Sequence, residues 1–161
     1  MRLFSLLLSL ALPTLADTRL VRETEALSPT EEHAQLHVPA GFDIQLFASE
    51  PMINKPINLA FDARGRLWVS STVEYPYSAD KTRWSDPQGT HVKGSRDAIK
   101  ILEDTDGDGR ADKVTNFADG LNIPTGVLPW HKPEHHAGCI AFSIPNIWYF
   151  ADTDGDGKAE L

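Results

Sequence analysis

Cysteine is almost missing from this chain. Cys139 stands alone among 161 residues, so no internal disulfide framework can form and stability must come from packing, alone or together with bound ions. Lysine and arginine total 15 against 23 acids and form no stripe that could neutralise phosphates, which argues against a nucleic-acid partner. The one long apolar run, residues 3–12, is shorter than the ~20 residues a membrane span needs and is followed by Pro13. No membrane span is expected in the mature chain. A sustained helical period is missing too. So are a nucleophile elbow, a glycine-rich phosphate loop and a carboxylate pair placed for acid–base work. Without a Cys-x-x-Cys-His segment, no c-type haem can attach here.

What the chain has in excess is one acidic loop, written twice. Asp104-Thr-Asp-Gly-Asp-Gly-Arg-Ala-Asp112 and Asp152-Thr-Asp-Gly-Asp-Gly-Lys-Ala-Glu160 begin 48 residues apart. Oxygen ligands at the first, third, fifth and ninth positions of such a loop can converge on a hard cation, and the glycines permit the tight turn that brings them together. The candidate Ca²⁺ ligands are Asp104, Asp106, Asp108 and Asp112 with the backbone carbonyl of Arg110, and Asp152, Asp154, Asp156 and Glu160 in the second copy. An EF-hand would add a Glu at its twelfth position, where this chain has Thr115, so the match is to a calcium-type loop and not to an EF-hand. The bland alternative is a pair of solvated Asp-Gly turns. From Glu103 to Asp112 five acids face one Arg, and from Asp152 to Glu160 four acids face one Lys, so the loops hold nearly all of the formal net charge of −8. The rest of the chain is close to neutral.

The first residues have the pattern of a secretory signal: Arg2, the apolar core and small residues around Ala16, after which cleavage is expected. Residues 1–16 are thus read as a signal peptide and the protein as exported, periplasmic or extracellular. Residues 17–40 form a polar lead-in in which Ser28 and Glu31 have the spacing of a capping box. From residue 41 onward strand-type segments dominate: residues 42–47, 57–61, 67–71, 99–102, 114–117, 126–128, 139–142 and 147–150, bounded by turns such as Asp62-Ala-Arg-Gly65. Overlaying the two loops puts Ile99-Lys-Ile-Leu102 on Ile147-Trp-Tyr-Phe150, Leu67-Trp-Val69 on Cys139-Ile-Ala141, and Ile57-Asn-Leu-Ala-Phe61 on Pro124-Thr-Gly-Val-Leu128. Four strands per unit of roughly 40–60 residues is the period of a β-propeller blade. The expected fold is therefore all-β, a partial β-propeller over residues 41–161, with one complete four-stranded blade at about 56–120 and a truncated blade at about 121–161. The chain is expected to be a fragment that stops inside its second repeat.

In such a blade the acidic hairpins, the Asp62 turn and residues 131–138 share one end. The insertion at residues 72–97 and the crossing at 118–126 share the other, where a substrate site is expected. The insertion carries Glu74, Tyr75, Tyr77, Arg83, Trp84, His91 and Arg96, and is either a functional excursion or an ordinary surface loop. His131, His135, His136 and Cys139 suggest zinc, but their spacing fits no closed structural site and Cys139 lies in a strand. Trp68, Trp148, Tyr149 and Phe150 are read as core before ligand pocket.

Four segments together carry a family resemblance: Pro39-Ala-Gly-Phe-Asp-Ile-Gln-Leu-Phe-Ala-Ser-Glu-Pro51, Leu59-Ala-Phe-Asp-Ala-Arg-Gly-Arg-Leu-Trp-Val69, Ile101 through the first acidic loop, and Phe117-Ala-Asp-Gly-Leu-Asn-Ile-Pro-Thr-Gly-Val127. The chain over residues 38–161 resembles the N-terminal portion of the membrane-bound dehydrogenase-type propeller proteins of planctomycetes and verrucomicrobia, which are similar to soluble quinoprotein glucose/sorbosone dehydrogenases. The resemblance implies a six-bladed propeller that oxidises a sugar or alcohol with pyrroloquinoline quinone (PQQ) and passes electrons to an acceptor. Its catalytic residues are expected beyond this chain, which alone is expected to be inactive. The alternatives are a calcium-dependent structural module similar in loop chemistry to dockerin or thrombospondin type 3 repeats, and a noncatalytic propeller that binds carbohydrate or protein. Ile99, Ile101, Ile147 and Tyr149 alternate as strands do, which speaks against the helices of dockerin.

Overall fold

The computed structural model describes residues 25–160; the signal-peptide segment lies outside the described residues. Two antiparallel sheets follow one another along the chain. The first has four strands in the order β1(Pro56–Phe61), β2(Leu67–Ser71), β3(Asp97–Glu103) and β4(Lys113–Leu121), and the second has three, β5(Gly126–Pro129), β6(Ala137–Ser143) and β7(Asn146–Asp152). Each strand pairs with its sequence neighbour, so both sheets are simple meanders. One short helix, α1(Pro29–His33), precedes them, and Ser28 and Glu31 form the reciprocal capping box their spacing predicts. No helix among the described residues is long and apolar enough to cross a membrane.

Alternation decides which face of each sheet is buried. Ile99, Ile101, Trp68 and Phe117 of the first sheet meet Val127, Cys139, Ala141 and Phe150 of the second in the main core. Trp68 and Phe117 pack edge to face with ring centroids 4.7 Å apart, a geometry that adds to their burial. On its other face the first sheet offers Leu67, Val69 and Leu102, which are covered by Phe47, Ala48, Met52 and Ile53.

Two expectations need correction. Residues 42–47 join no ladder; Phe47 instead gives its carbonyl to the Ala111 amide at 2.8 Å. The repeat overlay is also one residue off in its first strand. Leu59 pairs with Val69 and Val127 with Ala141, so Leu59 and Val127 are equivalent, where the sequence overlay set Leu59 on Gly126. A shift of one residue exchanges the two faces of a strand, and here the ladder decides.

Candidate functional site

Both acidic loops close the end of the molecule where β3 and β7 finish, and they are built by the same hydrogen bonds. In the first, Asp104 accepts the Gly107 amide at 2.7 Å and the Gly109 amide at 2.8 Å, one on each carboxylate oxygen. In the second, Asp152 accepts Gly155 at 2.6 Å and Gly157 at 3.1 Å in the same way. Asp108 accepts the Arg110 amide and Asp156 the Lys158 amide, each at 2.8 Å. The four glycines have φ between +79° and +87°, a region a side chain rarely adopts, so the turn needs glycine. At Gly109 a Cβ would also run into the Gln45 amide.

The carboxylates of Asp152, Asp154, Asp156 and Glu160 bring oxygens within 4.8 Å of one another, and so do those of Asp104, Asp106 and Asp108. Asp112, the expected fourth acid of the first loop, is outside that group. Its two oxygens are taken by the Thr105 hydroxyl at 2.9 Å, with the Thr105 amide at 3.1 Å. Glu160 reaches the cluster because its longer side chain gives only Oε2 to Thr153. All-oxygen, carboxylate-rich donor sets of this kind suit a hard divalent cation. The amides of Gly109 and then Gly107 keep the Asp104 carboxyl below the ordinary carboxylate range. The Thr153 hydroxyl and amide do the same for Glu160.

Each loop also clasps the segment before it. Ala159 donates its amide to the Phe117 carbonyl of β4 at 2.7 Å, as Ala111 does to Phe47. The second loop therefore bridges the two sheets, and the first ties the lead-in to the first sheet.

The other candidate residues have different occupations. His135 shares Nδ1 with the Tyr149 hydroxyl at 2.8 Å, His131 bonds the Lys132 carbonyl, and Cys139 is buried in the main core. Burial pushes the Cys139 thiol up to about 12, so it offers no thiolate to a metal. Alkylating reagents are expected to leave Cys139 unmodified in the folded protein and to label it fully in denaturant, which mass spectrometry reads directly. Trp68, read as core, is core, and its indole donates to Asp62 at 3.0 Å. Asp62 was legible only as a turn residue. It also accepts the Arg64 and Arg66 amides and the Arg66 Nε, so it is saturated as a structural acceptor.

At the opposite end the insertion is ordered. Arg83 forks onto both Glu74 oxygens at 3.0 and 3.4 Å, and Lys55, Tyr75, Tyr77 and Arg96 line an open cavity of about 420 Å³ beside them. The Arg83 guanidinium holds Glu74 below the usual carboxylate range, which makes it a weak general base.

Sequence reasoning missed Asp97. This carboxylate is buried at the start of β3 and accepts the amides of Glu74 and Ile123, each at 2.9 Å.

Neither a curated protein nor a solved structure matches the chain. A family model described as a domain of unknown function, DUF7133, matches residues 28–161, which takes in both sheets and both loops, and the chain belongs to that family.

Proposed function

We propose that this chain is an exported calcium-binding module whose two sheets are adjacent blades of a β-propeller, with each ion fixing a blade to the strand before it. One observation carries the reading: the two loops repeat the same internal hydrogen bonds, and the same alanine position in each donates to a phenylalanine carbonyl of the preceding segment. A cation in such a loop would neutralise carboxylates now crowded together, so its binding energy would also tighten the clasp.

The test is thermal unfolding with and without the ion. At ten times the dissociation constant each site should add about 1.4 kcal/mol, a Tm rise of several degrees that chelator reverses. Mg²⁺ should substitute poorly, because it needs a tighter octahedral shell. A melting temperature unmoved by millimolar Ca²⁺ would sink the reading.

The wider proposal, by resemblance, is that the module belongs to a quinoprotein sugar or alcohol dehydrogenase-like protein. The insertion end has room for a ligand and the cations Lys55 and Arg96. Its acid Glu74 is held by Arg83 and does not fit the role of a base toward PQQ, so no catalytic step is assigned to these residues.

A further inference from the structure

The insertion end of the first sheet holds positive charge that the fold itself does not use. Three cations and two acids line its cavity, and both acids are committed. Glu74 is held by Arg83, and Asp80 accepts the Thr82 amide at 2.8 Å to cap the short turn at Lys81–Arg83. Lys55 and Arg96 remain, and among the described residues neither is in an ion pair. The acids that dominate the net charge of −8 are in the two loops at the opposite end.

Lys55 is the more telling of the two. Its φ is +41°, a region that glycine adopts freely and a side chain rarely does, and Pro56 follows it. The Thr72 amide donates to its carbonyl at 3.1 Å, which fixes this backbone to the start of the insertion. A side chain is thus kept where the backbone favours none, and that side chain lines the cavity.

The aromatic wall is equally deliberate. Tyr75 is 51% and Tyr77 81% exposed, although the backbone that carries them is tied down on both sides. The Glu74 amide donates to Asp97 at 2.9 Å, the Tyr77 amide to the Glu74 carbonyl at 3.0 Å and the Ala79 amide to the Asn122 side chain at 2.8 Å. Rings presented on fixed backbone lose little freedom when a ligand arrives. An aromatic face suits the C–H face of a sugar ring, and a space of about 420 Å³ lies in the range of small-molecule sites.

We infer that the insertion end binds an acidic saccharide: Lys55 and Arg96 receive the carboxylate of a uronate unit, and Tyr75 and Tyr77 receive its ring face. Every wall comes from the residue before β1 and from the first sheet's own insertion. The cavity is open, so a unit within a chain fits it as well as a free sugar. This takes up the cavity that the dehydrogenase-like reading leaves without an assigned ligand, and it requires neither quinone nor turnover.

Calorimetric titration of the full chain with trigalacturonate, against neutral maltotriose of the same length, is the test. Trigalacturonate should bind about tenfold more tightly or better, and more weakly as salt rises. Lys55→Gly removes the cation and suits the left-handed backbone, so it should keep the parent's Tm while losing affinity about tenfold. Arg96→Gln and Tyr77→Ala, both at exposed positions, should behave alike. Equal binding of the two sugars, or no saturable binding of trigalacturonate, overturns the inference. Binding that is unchanged in all three variants overturns it as well, because the sugar is then held elsewhere, as by a cation bridging it to the acidic loops. Displacement of trigalacturonate by equimolar PQQ, itself a flat tricarboxylate, assigns the cavity to the quinone and overturns it too. The calcium-dependent Tm and turnover with quinone are separate readings, so a failure to bind sugar leaves those proposals to their own measurements.

Discussion

Asp152→Ala is expected to weaken calcium binding at the second loop by about 100-fold or more, equivalent to about 2.7 kcal/mol. Three roles of one side chain are lost together. Asp152 opens the loop as its proposed first ligand, its two oxygens hold the Gly155 and Gly157 amides, and it is almost fully buried at the end of β7. The remaining acids, Asp154, Asp156 and Glu160, are exposed and would have neither the central ligand nor the folded turn to gather them. Calorimetric titration with Ca²⁺ should therefore fall from two binding events to the one of the first loop. Asp152→Asn should lie between, since an amide oxygen still coordinates but one amide acceptor is gone. A variant that binds within threefold of the parent would refute the assignment. Acid should mimic the mutation. The carboxyl of Glu160 is held below its ordinary value, so its contribution is complete above about 4.5 and is lost as pH falls through the lowered value.

How far the sequence could carry this depended on whether a feature is written locally. The acidic loops were legible because carboxylate spacing and glycine position are both short-range properties, and the loops repeat down to individual amides. Most strands were legible by alternation, and β2 runs over the five residues expected. Where pairing partners decide, the reading slipped. The connection between β1 and β2 takes residues 62–66 and that between β5 and β6 residues 130–136, and nothing in Ile57-Asn-Leu-Ala-Phe61 marks how such unequal turns set the strand before them, so the overlay with β5 came out one residue wrong. Residues 42–47 alternate like a strand, but a strand also requires a partner, and none of the described ladders supplies one. Asp112 and Glu160 looked alike as ninth-position acids, yet one methylene separates a residue locked by Thr105 from one that joins a cluster.

Asp97→Ala is expected to cost about 3 kcal/mol and to lower Tm by roughly 10 °C, although residue 97 touches neither loop. The reason is what the carboxylate holds. Its Oδ1 accepts the Glu74 amide at the start of the insertion and its Oδ2 accepts the Ile123 amide in the crossing between the sheets. Ile123 is β-branched with φ at +50°, a conformation such a residue adopts only when its surroundings impose it. Removing Asp97 orphans the buried Ile123 amide and the half-buried Glu74 amide, and the crossing that sets the second sheet on the first loses its anchor. Sequence gave no sign of this, because an Asp next to Ala98 at a strand start reads as solvated; only the fold brings Glu74 and Ile123 to it. Asn at this position keeps the shape but presents an N–H to one of the two amides, so Asp97→Asn should recover only part of the loss. Thermal unfolding of the two variants should rank them below the parent in that order, and the calcium-dependent increment in Tm should survive in both as long as the sheets stay stacked. Full stability in Asp97→Ala would mean that the crossing is held by Asn122, whose backbone amide donates to the Ser143 hydroxyl and whose side-chain oxygen accepts from the Ala79 amide, in place of Asp97.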